Sequence, residues 1–78
     1  MTAVERITNG EQRRWEHKLF TIERTGEHIL TRFKVSATAT AILARGNITT
    51  QLADNGWKRC DSTTDEVEGW LTTLWQRA

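Results

Sequence analysis

The 78-residue chain has no proline and a single cysteine, Cys60. One cysteine excludes a disulfide within the chain. One cysteine and two histidines also fall short of the four Cys/His ligands typical of a closed structural zinc site. No stretch approaches 18 apolar residues, so no segment reads as a membrane span. The start, MTAVERITNGEQRRW, carries Glu5 and Arg6 where a secretory leader needs an apolar run, and no leader is expected. With the lone thiol, these absences lead us to expect a cytoplasmic protein.

A dominant charge is also missing. The net charge is +1. Residues 1–60 hold ten Lys/Arg against six Asp/Glu, whereas residues 61–78 hold Arg77 against four carboxylates. That balance speaks against an acidic mimic of DNA and against a strongly basic nucleic-acid binder. The length predicts one domain over residues 1–78, burying roughly 60 % of its unfolded surface, so the core is small. Lacking disulfide and metal, such a domain gains most from a partner chain.

What the sequence does have is punctuation. Four of its five glycines adjoin Asn or Thr, at Asn9-Gly10, Thr25-Gly26, Gly46-Asn47 and Asn55-Gly56. These residue types accept the positive φ of tight hairpin turns. The segments between them are rich in strand formers. A Thr25-Gly26 turn pairs Ile22 with Ile29 and Phe20 with Thr31. HILTRFKVS alternates cleanly, with Ile29, Phe33 and Val35 on one side and Arg32 and Lys34 on the other.

Residues 37–54 admit two readings. As a helix, Ala37, Ala41, Ala44, Ile48 and Leu52 form a stripe that leaves Ile42 and Leu43 off it. As a hairpin about Gly46-Asn47, one face collects Ala41, Leu43, Ile48 and Leu52. The hairpin is preferred, because Gly46-Asn47-Ile48-Thr49-Thr50 is a poor helix interior. The chain must then bend near Ser36 to Thr40, and Asn55-Gly56 leads into a strand from Trp57 to Cys60. The last segment reads as a helix capped by Thr63 and Glu66. Val67, Trp70, Leu71, Leu74 and Trp75 form its apolar stripe, and Gly69 costs it about 1 kcal/mol relative to Ala. The expected fold is α+β: an antiparallel β-meander of four to five strands with one C-terminal amphipathic helix packed on one face.

No residue constellation specifies a reaction. Register places His28 opposite Glu23 and His17 opposite Lys34, too far apart to act together. Cys60 lacks an activating histidine and reads as an apolar filler beside Trp57. No phosphate-cradling loop, zinc spacing or carboxylate pair appears, so no catalytic residue, cofactor or metal ligand is assigned. The carboxylates from Asp61 to Glu68 read as helix capping, with an acidic partner edge as the alternative.

The second face of the first hairpin is the candidate site. It collects Trp15, His17, Leu19, Leu30, Arg32 and Lys34, with Arg13 at its end, and Trp and Arg are common interface anchors. Near-neutral net charge ranks a protein partner above nucleic acid. The apolar patch around Trp15 also predicts a weak two-fold homodimer.

The stretch DSTTDEVEGWL resembles one in small phage-encoded anti-CRISPR proteins of the type I class, matching at Asp61, Ser62, Thr63, Val67, Glu68, Gly69, Trp70 and Leu71. The resemblance implies a non-enzymatic inhibitor in the host cytoplasm. Its partner would be a ribonucleoprotein complex, a CRISPR surveillance complex whose recognition of target DNA it blocks. It implies no contact residues. The alternatives are a small nucleic-acid-binding regulator using the same hairpin face and a self-associating structural subunit.

Overall fold

Thr2 opens the first helix, α1 (Ala3–Thr8), by accepting the Glu5 amide on its hydroxyl at 3.1 Å. The computed structural model describes residues 2–35, 38–65 and 68–78. After α1 come three strands, β1 (Arg14–His17), β2 (Phe20–Thr25) and β3 (His28–Lys34). A long helix, α2 (Ala39–Asp54), is followed by β4 (Trp57–Asp65) and β5 (Trp70–Arg77). The strands form one antiparallel sheet in the order β1-β2-β3-β5-β4. The α+β class and the antiparallel sheet agree with the sequence reading. The placement of the helices does not, and the sheet is not a simple meander, because β5 and not β4 lies beside β3.

The hairpin expected about Gly46-Asn47 does not form. From Ala39 onward the chain is α2, capped by the Thr38 hydroxyl, which accepts the Ala41 amide at 3.3 Å. Ala, Leu and Gln favour helix, and Ala41, Ile48 and Leu52 turn to the core while Ile42 and Leu43 stay exposed. Asn55 and Gly56 close the helix, with Gly56 in the left-handed region at φ 86°. Gly46 is the one glycine outside that region, and a Cβ there would meet nothing within 4 Å. Gly46→Ala should therefore stabilise the fold by about 0.5–1 kcal/mol. A fall in urea midpoint on that substitution would contradict the helix.

The C-terminal helix is likewise replaced, by the β4–β5 hairpin. Glu68 and Gly69 lie in the connection between the two strands, with Gly69 at φ 72°. Thr63 pairs with Thr72, so the Thr63 cap does not form. Its partner in that cap, Glu66, and Val67 of the apolar stripe lie outside the described residues, as do Ser36 and Ala37. The β-branched threonines at 63, 64, 72 and 73 suit a pleated surface better than a helix. The β2–β3 turn lies at Gly26-Glu27, and Ile22 pairs with Thr31 and Phe20 with Phe33. The register differs from expectation by two residues, which leaves the side chains of β2 and β3 on their expected faces.

Both helices contribute to the core on one face of the sheet. Val4 and Ile7 of α1 and Ile48 and Leu52 of α2 join Phe20, Ile22, Ile29, Phe33, Trp57 and Trp75 of the strands. Arg24 and Arg77 flank the Trp57 ring at 5.3 and 4.8 Å. Both donate to the Thr8 carbonyl at the end of α1, where the helix dipole favours a cation. Among the described residues no helix covers the other sheet face.

Candidate binding face on the open side of the sheet

Alternation fixes the membership of the open face. Lys34 pairs with Trp70, Arg32 with Thr72 and Leu30 with Leu74. The Trp70 ring lies under two cations, Arg32 Cζ at 5.1 Å and Lys34 Nζ at 5.2 Å. Such contacts contribute roughly 0.5–1 kcal/mol each at exposed sites. Lys34 is held in place by donating to the Glu68 carbonyl at 2.8 Å. Leu30 and Leu74 continue the face as a half-buried apolar pair.

Carboxylates border this patch. Arg14 contacts Glu16 at 2.6 Å and Glu23 at 3.3 Å. The hydrogen bond and charge of Glu16, followed by Glu23, raise the Arg14 pKa above its ordinary value. A depression of about 480 Å³ opens beside Trp70, lined also by Glu16, His17, Lys18 and Thr21. The face thus presents one aromatic ring under two cations, a short apolar strip and a border of both signs.

Only part of the expected constellation assembles. Leu30, Arg32 and Lys34 lie together on the open face. Trp15 pairs with Ile22 and His17 with Phe20, so both lie on the helix-covered face. Trp15 packs edge-on against Phe20, with centroids 4.7 Å apart, and His17 stacks on the same ring at 4.7 Å. Leu19 packs against the core from the β1–β2 turn. Arg13 is exposed before β1 and accepts the Arg24 amide on its carbonyl at 2.8 Å. The cause is a turn at Lys18-Leu19, where the Leu19 amide donates to His17 Nδ1 at 3.2 Å. That turn reverses the chain between Trp15 and Phe20, and the hairpin face cannot run through it. The apolar patch behind the dimer expectation is therefore divided between two faces.

Trp70 is the member of this candidate face that the sequence reading missed. It was assigned to the core, and in the sheet it is half-buried on the other side. The available signal was Gly69 between two threonine-rich runs, which marks a hairpin. Cys60 is exposed at a bulge in β4 and is not an apolar filler. His17 pairs with Phe20 and His28 with Thr25, so the two imidazoles do not meet across the hairpin. Among the described residues no three His, Cys, Asp or Glu side chains gather as a metal site, and no helix is long and apolar enough to cross a membrane. No known protein family, curated protein or solved structure matches the chain.

Proposed function

We propose that the chain is a non-enzymatic protein-binding module of the anti-defence inhibitor kind, with the open sheet face as its contact surface. The observation carrying this reading is the Trp70 ring at 5.1 Å from Arg32 and 5.2 Å from Lys34 on a face that no described helix covers. Trp and Arg supply a disproportionate share of interface energy. Glu16, Glu23 and Asp61 on the same face favour a protein of mixed charge over a uniformly anionic strand. The resemblance at residues 61–71 makes a type I CRISPR surveillance complex the first partner to test. Most of that stretch lies in the β4–β5 hairpin, which contributes Asp61 and Trp70 to the proposed face.

Purified surveillance complex should bind the immobilised chain, and the chain should inhibit its capture of target DNA. Trp70→Ala should weaken binding by about 2–4 kcal/mol, 30-fold or more. Because Trp70 is half-buried, the variant should remain folded. No binding to the complex would remove this partner. Tight DNA or RNA binding at physiological salt, lost in Arg32→Ala with Lys34→Ala and falling steeply with ionic strength, would establish the nucleic-acid reading instead.

A further inference from the structure

A second site lies on the helix side of the sheet, away from the proposed protein-binding face. Between α2 and the β4–β5 hairpin is a cavity of about 360 Å³. Its apolar lining is the half-buried Leu71 over the buried Phe33 and Trp75, and its polar lining includes Arg45 and Thr49 of α2 and Arg59 of β4. Among the described residues no carboxylate lines it. Arg14, Arg24 and Arg77 are each bonded to carboxylate or carbonyl oxygens. Arg45 and Arg59 make no ion pair or hydrogen bond with any described residue, and the Thr49 hydroxyl is equally free.

Arg45 and Arg59 both line this one cleft, and an anion placed there would be attracted by both cations. The rigid guanidinium fork matches phosphate oxygens in paired hydrogen bonds. The volume lies within the range of about 300–1,000 Å³ for small-molecule pockets, and it exceeds what a bare phosphate ion needs. The apolar lining suits a ring or other nonpolar body. We propose that this cleft binds a phosphomonoester with a planar organic body, of the mononucleotide class. Arg45 and Arg59 clamp the phosphate, the Thr49 hydroxyl donates to it, and the body rests towards Leu71.

Titration with AMP, inorganic phosphate and adenosine, followed by NMR, tests the site. AMP should give saturable shifts at the Gly46 and Thr49 amides and at the Trp75 indole. Its affinity should exceed that of inorganic phosphate at least tenfold, and adenosine should not saturate. Arg45→Ala and Arg59→Ala change exposed residues, so both variants should fold, and each should weaken AMP at least tenfold. Absence of AMP shifts, equal binding of adenosine or of inorganic phosphate, or unchanged AMP affinity in both variants would each overturn the proposal. So would AMP shifts confined to Arg32, Lys34 and Trp70 on the open face.

Discussion

Trp75→Ala should destabilise the domain by about 3–5 kcal/mol, the usual cost of truncating a fully packed large aromatic. The side chain is 2 % exposed and lies in the main cluster, opposite Ile29 on β3. Its indole N–H donates to Thr31 Oγ1 at 2.9 Å, and Thr31 is itself completely buried. Truncation removes the ring and leaves that buried oxygen without its donor. A domain of this size has stability on the order of 4–12 kcal/mol, so the variant should be largely unfolded or close to it at 37 °C. Urea titration followed by far-ultraviolet circular dichroism reads the effect without relying on the deleted tryptophan. Trp75→Phe keeps most of the bulk and should cost about 1–3 kcal/mol, chiefly for the lost hydrogen bond. A Trp75→Ala midpoint near wild type would mean that the β3–β5 packing is wrong.

The same experiment on Trp70 separates the two readings of the last segment. In an amphipathic helix, Trp70 and Trp75 share one buried stripe, and both truncations are severe. In the hairpin, residues 70 and 75 differ in parity and face opposite sides of the sheet. Trp70→Ala should then be mild where Trp75→Ala is severe. Periodicity alone could not make this distinction, since Val67, Trp70, Leu71, Leu74 and Trp75 satisfy the helical spacing. What decides for strands is the β-branched Thr72-Thr73 pair together with a left-handed glycine at 69. That glycine had been counted as a cost to a helix when it belongs to the connection of a hairpin.

Other parts of the fold were legible because several signals agreed. Along β2 and β3, alternation, strand propensity and a glycine turn all pointed to the same hairpin, and its faces were read correctly despite the two-residue slip. Asn55-Gly56 marked the start of β4 for a similar reason. At Gly46-Asn47 the signals conflicted: a turn-favouring pair sat inside an alanine-rich stretch, and packing of Ile48 and Leu52 on the sheet outweighed the local cost of glycine. The β1–β2 turn at Lys18-Leu19 has no glycine, asparagine or aspartate, so nothing in the sequence announced the change of face between Trp15 and Phe20. Half of the candidate face was consequently legible. Arg32 and Lys34 followed from the β3 alternation, whereas Trp70 required the fold of β5.

Leu52→Ala should cost about 2–5 kcal/mol. α2 has few large groups with which to hold the sheet. Its buried residues are Ala41, Ile48 and Leu52, and Leu52 is 0 % exposed. Ile42 and Leu43 point outward, at 54 % and 64 % exposure. Removing the Leu52 side chain therefore deletes a main anchor of the helix and opens a cavity within the cluster that also contains Ile7, Ile22 and Trp57. Because that cluster is shared by both helices and the sheet, the loss should appear as a lower midpoint of one cooperative transition. Leu43→Ala supplies the contrast. An exposed helical leucine contributes little, and its replacement should change stability by no more than about 0.5 kcal/mol. A hairpin over the same residues would put Leu43 and Leu52 on one buried face and make the two substitutions comparably damaging. Equal losses in Leu43→Ala and Leu52→Ala, measured by urea denaturation, would therefore refute α2. A large loss confined to Leu52→Ala fits only a helix whose stripe runs through Ala41, Ile48 and Leu52.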